Sequence, residues 1–545
     1  MRRPSVRSVA PGLLAGGLFA LVAAAWSPAR ADVPVVDDAG ARALATTLKS
    51  GLTRWMPPAS DDSEGFGFEW DGEPTVKASG DHYDIALPRL AAEGADGVRI
   101  EVGTVLLSVT PRDGGLFGVS VTLPGKIAVQ SLDDEGEDYK DSASIALGRQ
   151  TFTGTWSAPL ETLLTMDGAF NDIAITSPDG KGAVTIGAVT LKQDLKADGP
   201  TTWSGPSAIT ISNVAALDEK KREAFKIAGL SVENAYSRAD FTKISALQAM
   251  AQRVTATGKP PSVADVLPTL RGVIGGFTTR MSLTGLSGSD SADGSKVDLG
   301  QLTVTGGVTD LDQDFSTISL GMAARDFAIT PSVAPTAFTP KTVEFGLSVA
   351  KLPNAALWQG LSDLALATEA EEKAKAAKSA KKDSKAKAAP APATPLATPD
   401  AIIAKTMAAL VEAGAELRLD ALKVEAPATT ATATGAMRVA AQSAFGVTGA
   451  TTILLKGLDA AAKAMQPAPG AKPDKDAQDA LGMIGMLQAM GQISKDESGA
   501  EIRSYKIEMT DSGQLLLNGA DMAPLLGGGG EPAAPPADAG KKPKK

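Results

Sequence analysis

The sequence predicts a β-rich α+β protein: an elongated, curved and bulged, mostly antiparallel sheet with a few covering helices. Three observations predict it. Aromatic residues make up only 4% of the chain, so its core must come from small and branched aliphatic side chains, which suit a pleated surface. Runs that alternate apolar and polar residues recur, as in GVSVTLPGKIAV (118–129), SAITISNV (207–214) and VEFGLSVAKL (343–352). The alternation also slips by one residue at several separate places.

The slip has a fixed form. In KVDLGQLTV (296–304), Val297 and Leu299 are followed by Leu302 and Val304, whereas strict alternation would put the two pairs on opposite faces. The same i, i+2, i+5, i+7 spacing appears in Ile100/Val102/Val105/Leu107, Val184/Ile186/Val189/Leu191, Phe225/Ile227/Leu230/Val232 and Leu417/Leu419/Leu422/Val424. Glycine stands in the gap of four copies (Gly103, Gly187, Gly229, Gly300), and Asp420-Ala421 in the fifth. An incomplete copy surrounds Gly148. Two local structures fit: a β-bulge, which keeps both apolar pairs on one face while bending the strand, or two short strands joined by a tight turn. On the bulge reading Gly103, Gly187 and Gly300 lie at bends and are candidates for positive φ, and Thr303 is exposed. The copies follow no fixed period, so they are a recurring local device and not a solenoid repeat.

Taken in order, residues 1–31 read as a cleaved signal peptide, with an uncleaved membrane anchor as the alternative. Arg2, Arg3 and Arg7 precede an apolar run from Val9 to Trp26, and Ala29-Arg30-Ala31 forms an A-x-A site. Cleavage after Ala31 removes four of the 53 basic residues and no acid, leaving 49 against 63 acids, a net charge of −14. Residues 32–367 form the sheet body. Within it 65–215 read as a nearly all-β meander, helices are expected at about 240–275, and strands resume from about 277 to 352. Residues 368–399 pass from an Ala/Lys/Glu helix former into a Pro/Ala linker without an apolar stripe, which reads as a boundary. The lysines there read as solvated, with contact to anionic headgroups as the alternative. Residues 400–520 continue the sheet architecture: helix 400–413, strands over 415–457, a spacer at 466–476, helix 477–493 and a hairpin over 501–519. Residues 521–545 read as a disordered tail.

The composition and motifs exclude much chemistry. There is no cysteine and a single histidine, His82, so zinc sites built on imidazole or thiolate are not expected. The formal charge of −10, with no strong basic patch in the periodic regions, argues against nucleic acid. No G-x-S-x-G, P-loop or G-x-G-x-x-G occurs. Ser348 and Lys351 have S-x-x-K spacing, but on a strand-like run. Asp310, Asp312 and Asp314 mimic the start of a calcium loop whose glycine and twelfth-position carboxylate are missing. The run Asp133–Asp138 reads as a charged hairpin tip. No enzyme, cofactor or metal is expected, and no apolar run after the signal would span a bilayer. One helix stands out: 477–493 carries Met483, Met486 and Met490 at three- and four-residue spacing, which suits either ordinary core packing or an adaptable apolar ligand contact.

The units FKIAGLSVEN (225–234), VDLGQLTVTG (297–306), LRLDALKVEA (417–426) and SYKIEMTDSGQLLLNG (504–519) resemble the strand-and-bulge units of β-rich envelope proteins of the AsmA-like and YdgA-like kind. They are also similar to those of an exported alphaproteobacterial family with no assigned function. The resemblance implies a curved periplasmic sheet tied to outer-membrane lipid homeostasis. The cleavable signal and the Ala/Lys linker depart from that pattern. Two functions are expected from the whole: a non-enzymatic periplasmic protein whose curved apolar face binds lipid or another envelope component, or an interaction scaffold with a closed core and no ligand.

Overall fold

In the computed structural model the described residues are 34–522, apart from 57–65, 95–96, 133–137, 181, 219–221, 258–260, 290–293, 332–335, 384–397, 445 and 467–474. The segment read as a signal, the acidic run 133–137, most of the spacer at 466–476, the later part of the 368–399 segment and the tail beyond 522 lie outside the described residues. Among the described residues the chain is mostly antiparallel sheet, with 26 strands and seven helices.

The first described element is a helix that the sequence reading does not include, α1 (Asp38–Trp55). Asp37 starts it by accepting a hydrogen bond from the Gly40 N–H at 2.7 Å. Ala41, Leu44, Leu48 and Leu52 recur at three- and four-residue spacing, and all four are buried. Ten strands follow, from β1 (Phe66–Asp71) to β10 (Gln150–Ser157), and then the long β11 (Thr162–Thr176). One edge of β11 pairs with β10 over Thr162–Phe170 and with β9 (Tyr139–Ala146) over Ala174–Thr176. Two arms of the sheet grow from these pairings. One contributes Tyr83, Val109, Phe117 and Trp156 to the core, the other Leu90, Ile100, Val102 and Ile127, and both share that core with α1.

The other edge of β11 pairs with β12 (Ala183–Asp194), which is followed across the sheet by β14 (Thr202–Leu217), β15 (Glu223–Asp240), β16 (Gly276–Ser289) and β17 (Lys296–Thr309). The short β13 (Lys196–Ala197) folds onto β14. Helices α2 (Phe241–Thr257) and α3 (Val263–Leu270) connect β15 to β16.

The chain divides into two compact units: residues 1–313 with 323–333, and 314–322 with 334–545. In the second, β19 (Thr342–Pro353) pairs with β20 (Glu416–Glu425), followed by β21 (Thr430–Val439), β22 (Val447–Lys456) and β24 (Glu501–Met509). Helices α4 (Asn354–Asp383) and α5 (Pro399–Ala413) lie between β19 and β20 in sequence. Residues 368–399 therefore connect two paired strands of one unit, and the division between units falls upstream of them.

The recurrent slip turns out to be three different devices. At Gly103 (φ 84) the strand ends: β5 (Val98–Gly103) pairs with β4 (Arg89–Gly94) and β8 (Lys126–Leu132), whereas β6 (Leu106–Arg112) pairs with β3 (His82–Ala86) and β7 (Leu116–Thr122). A turn carries the chain from one arm to the other, and Ile100, Val102, Val105 and Leu107 all reach the same core. The copy at 417–424 is a bulge. Gly346 faces Ala421 but Leu347 faces Leu419, so Asp420 is the extra residue.

The three middle copies are neither. Register is kept on both sides of the slip, with Ile186 facing Val214 and Ala188 facing Ser212, then Val214 facing Ile227 and Ser212 facing Gly229. What interrupts the ladder is a row of residues level with one another in successive strands: Asp172, Gly187, Asn213, Ala228, Gly285 and Gly300. Asp326 comes next, lying against Gly300. Every second member is left-handed: Asp172 (φ 55), Asn213 (φ 54), Gly285 (φ 59) and Asp326 (φ 55). Gly187 and Gly300 are not left-handed themselves, contrary to the bulge reading. They leave room for a left-handed neighbour, since a Cβ on Gly187 would lie 2.9 Å from the Asn213 Cβ and one on Gly300 2.7 Å from the Asp326 Cβ. Gly148 stands in the same relation to Asp172, at 2.8 Å. We call this row the crease. Thr303, expected to be exposed, is only 8% accessible and lies 3.5 Å from the Ser282 hydroxyl.

Candidate functional site: an uncovered apolar face

Because register survives the crease, apolar side chains line up in rows across the strands. Ile211, Leu230, Leu283 and Leu302 form one row, and Ile209, Val232, Met281 and Val304 form the next. On the far side of the crease Val214 faces Ile227, and Leu286 faces Leu299. Residues directly opposite one another in neighbouring strands share a face, so these rows make one surface. At its β12 and β14 end, Val189, Ile209, Ile211 and Val214 pack against the core built around α1.

Beyond β14 that packing stops. Between Leu195 and Ala350, Ala239 is the one buried hydrophobic among the described residues, and the rows of β15 to β17 are half-buried or exposed. Phe225, Met281 and Val297 each keep more than a third of their surface accessible. No described residue of α2 or α3 is buried, so these helices do not close a core over the face. No charged residue stands in the rows. Four strands at roughly 4.8 Å spacing make each row about 14 Å long. An aromatic pair ends the surface, Tyr236 and Phe277, with ring centroids 5.4 Å apart and planes at 42°. An uncharged aliphatic surface of this kind can hold an apolar partner; it offers no acid, base or nucleophile.

The methionines lie in the second unit, on α7 (Lys475–Met490). Met483 and Met486 are 59% and 53% exposed, so for these two the core-packing alternative is not what the structure has. Met490 is half-buried, and its carbonyl accepts a hydrogen bond from Asn518 at 2.9 Å. The helix is tied to β24 near its C-terminal end, where the Tyr505 hydroxyl donates to the Leu487 carbonyl at 2.6 Å.

The other sequence candidates find ordinary partners. Ser348 is a buried residue of β19, not of a helix start, and Lys351 pairs with Glu416. Asp312 pairs with Arg238, and Asp310 is a left-handed turn residue. His82 sits between Asp81 (3.0 Å) and Asp84 (3.3 Å), and their hydrogen bonds and charges raise its pKa above the ordinary 6.5. Sequence reasoning missed one charged cluster. Arg99 pairs with Glu69 and Glu101 at 2.6 Å each and lies 5.5 Å over the Tyr139 ring. Burial and a hydrogen bond to Glu93 push the Tyr139 hydroxyl up to about 12. Arg99 thus bridges Glu101 of its own strand and Glu69 of β1, which marks the cluster as a clasp between strands.

Compared with known proteins, the chain matches no protein-family model, no curated protein and no solved structure.

Proposed function

We propose that this is an exported, non-enzymatic protein of the cell envelope that holds a lipid or another apolar envelope component on the rows flanking the crease. The observation that carries the reading is the uncovered, uncharged aliphatic face of β15 to β17. Apolar surface of this extent exposed beside a fully packed core is characteristic of a binding surface. A scaffold with a closed core is the less favoured reading, because α2 and α3 leave the face open. Export rests on the charged start, apolar run and A-R-A site of residues 1–31, and AsmA-like envelope proteins supply the analogy for compartment and ligand. N-terminal sequencing of the envelope protein is expected to read Asp32-Val33-Pro34, and an intact Met1 would overturn cleavage after Ala31.

The ligand is tested by native mass spectrometry of protein purified from the envelope of the producing cell. Lipid is expected to accompany the folded chain. Leu283→Asn combined with Leu302→Asn is expected to lower lipid per folded molecule several-fold, at modest cost to folding because both side chains are only half-buried. Equal lipid in both proteins, or none in either, would return the protein to the scaffold reading.

A further inference from the structure

The face read above as a lipid surface is not uniform along its strands. Beyond the aliphatic rows of Ile211 and Ile209, moving away from the crease, the next residues on the same face are Ser207, Asn234, Thr279 and Gly306, level with one another on β14 to β17. The row after that holds Tyr236, Phe277 and Val308. At about 3.3 Å per residue the aliphatic stretch of β17 from Val297 to Val304 is roughly 23 Å long; the polar row lies about 7 Å beyond it and the aromatic pair about 7 Å further.

The polar row has hydrogen-bonding capacity to spare. The Asn234 amide donates toward the Ser207 hydroxyl across a long 3.5 Å. Among the described residues the Asn234 side-chain carbonyl and the Thr279 and Tyr236 hydroxyls have no hydrogen-bond partner, although all three side chains are half-buried. Groups in such places are satisfied by water or by a ligand. No free charge accompanies them: Arg238, the first charged residue past Tyr236 on β15, is paired with Asp312. An ionised head group laid on these rows would lose its water without gaining a counter-charge.

We propose that the ligand of this face is a glycolipid with an uncharged sugar head, its acyl chains along the aliphatic rows, its sugar hydroxyls on Asn234 and Thr279, and its sugar ring against Tyr236 and Phe277. The inference rests on the apolar-face reading. Half the hydrocarbon core of a bilayer is about 15 Å, so acyl chains of ordinary length fit within the aliphatic stretch. Sugar hydroxyls both donate and accept, as amide and hydroxyl partners require, and the slightly positive C–H groups of the ring suit the negative faces of aromatic side chains. The test is native mass spectrometry of the full chain incubated with an equimolar mixture of glucosyl diacylglycerol, diacylglycerol and phosphatidylglycerol that carry the same acyl chains. The glucosyl lipid is expected to exceed each of the others about tenfold in bound protein, since each well-placed hydrogen bond multiplies affinity several-fold. Asn234→Leu combined with Thr279→Val is expected to bring glucosyl lipid and diacylglycerol to parity while total bound lipid is retained, and Thr279→Val alone, a near-isosteric change, to lower the preference in part. Equal binding of all three lipids, a preference for either of the other two, or an unchanged preference in the variants would each overturn the proposal and leave the apolar-face reading standing. Absence of any bound lipid would overturn both.

Discussion

At Gly300 the decisive atom belongs to the next strand. A methyl group there would sit 2.7 Å from the Asp326 Cβ, so Gly300→Ala is expected to destabilise by about 1–3 kcal/mol in chemical denaturation. Thr151→Val, at an exposed strand position, should stay within about 0.5 kcal/mol. Asp326→Gly removes the obstructing side chain, so Gly300→Ala should cost markedly less in that background; an equal cost in both backgrounds would show that the two residues do not compete for space. The slip was legible in one strand, but its cause was not, because single-strand periodicity carries no information about the residue across the ladder. His82 allows a second check. Its folded pKa is raised, chiefly by the hydrogen bond to Asp81. The stabilisation it contributes is therefore full below its unfolded value near 6.5 and is lost as pH rises through the higher folded value. As the only histidine, it should titrate in NMR with a midpoint above 6.5, and Asp81→Asn should bring that midpoint down.

Among the elements, α1 has most to lose. Leu48 is fully buried between the two arms, and Leu48→Ala is expected to cost about 2–5 kcal/mol, read from the denaturation midpoint. Asp37→Ala should cost about 1 kcal/mol through the lost cap. Both signals, the capping Asp and the leucines at helical spacing, are visible in the sequence. The alanines and threonines between them dilute the apolar stripe, which blurs the helical period in the sequence. The later helices were legible within a few residues, since 240–255, 400–413 and 477–493 carry periodic apolar positions flanked by strand runs. The start of α4 was not: residues 354–367 fall in the sheet body on the sequence reading, and only the Ala/Lys/Glu run from 368 reads as a helix former.

For the whole molecule, fold class was legible because strand alternation is local and pervasive. The binding face was only partly so. Leu230, Leu299 and Leu302 were recognised as copies of a pattern, but their alignment with Ile211, Leu283 and Leu286 depends on register between strands, which no single strand encodes. The methionines are legible because their spacing lies within one helix, whereas the aliphatic rows join residues roughly a hundred positions apart in sequence. The crease also sets a counting rule for how such a sheet can be lengthened or shortened. Left-handed and permissive strands alternate, so strands can be gained or lost only in pairs. Removing β15 and β16 together would bring Asn213 of β14 against Gly300 of β17, an acceptable match. Removing β15 alone would set Asn213 against Gly285, two left-handed residues in one place. The hairpin, not the strand, is thus the unit in which this architecture can grow.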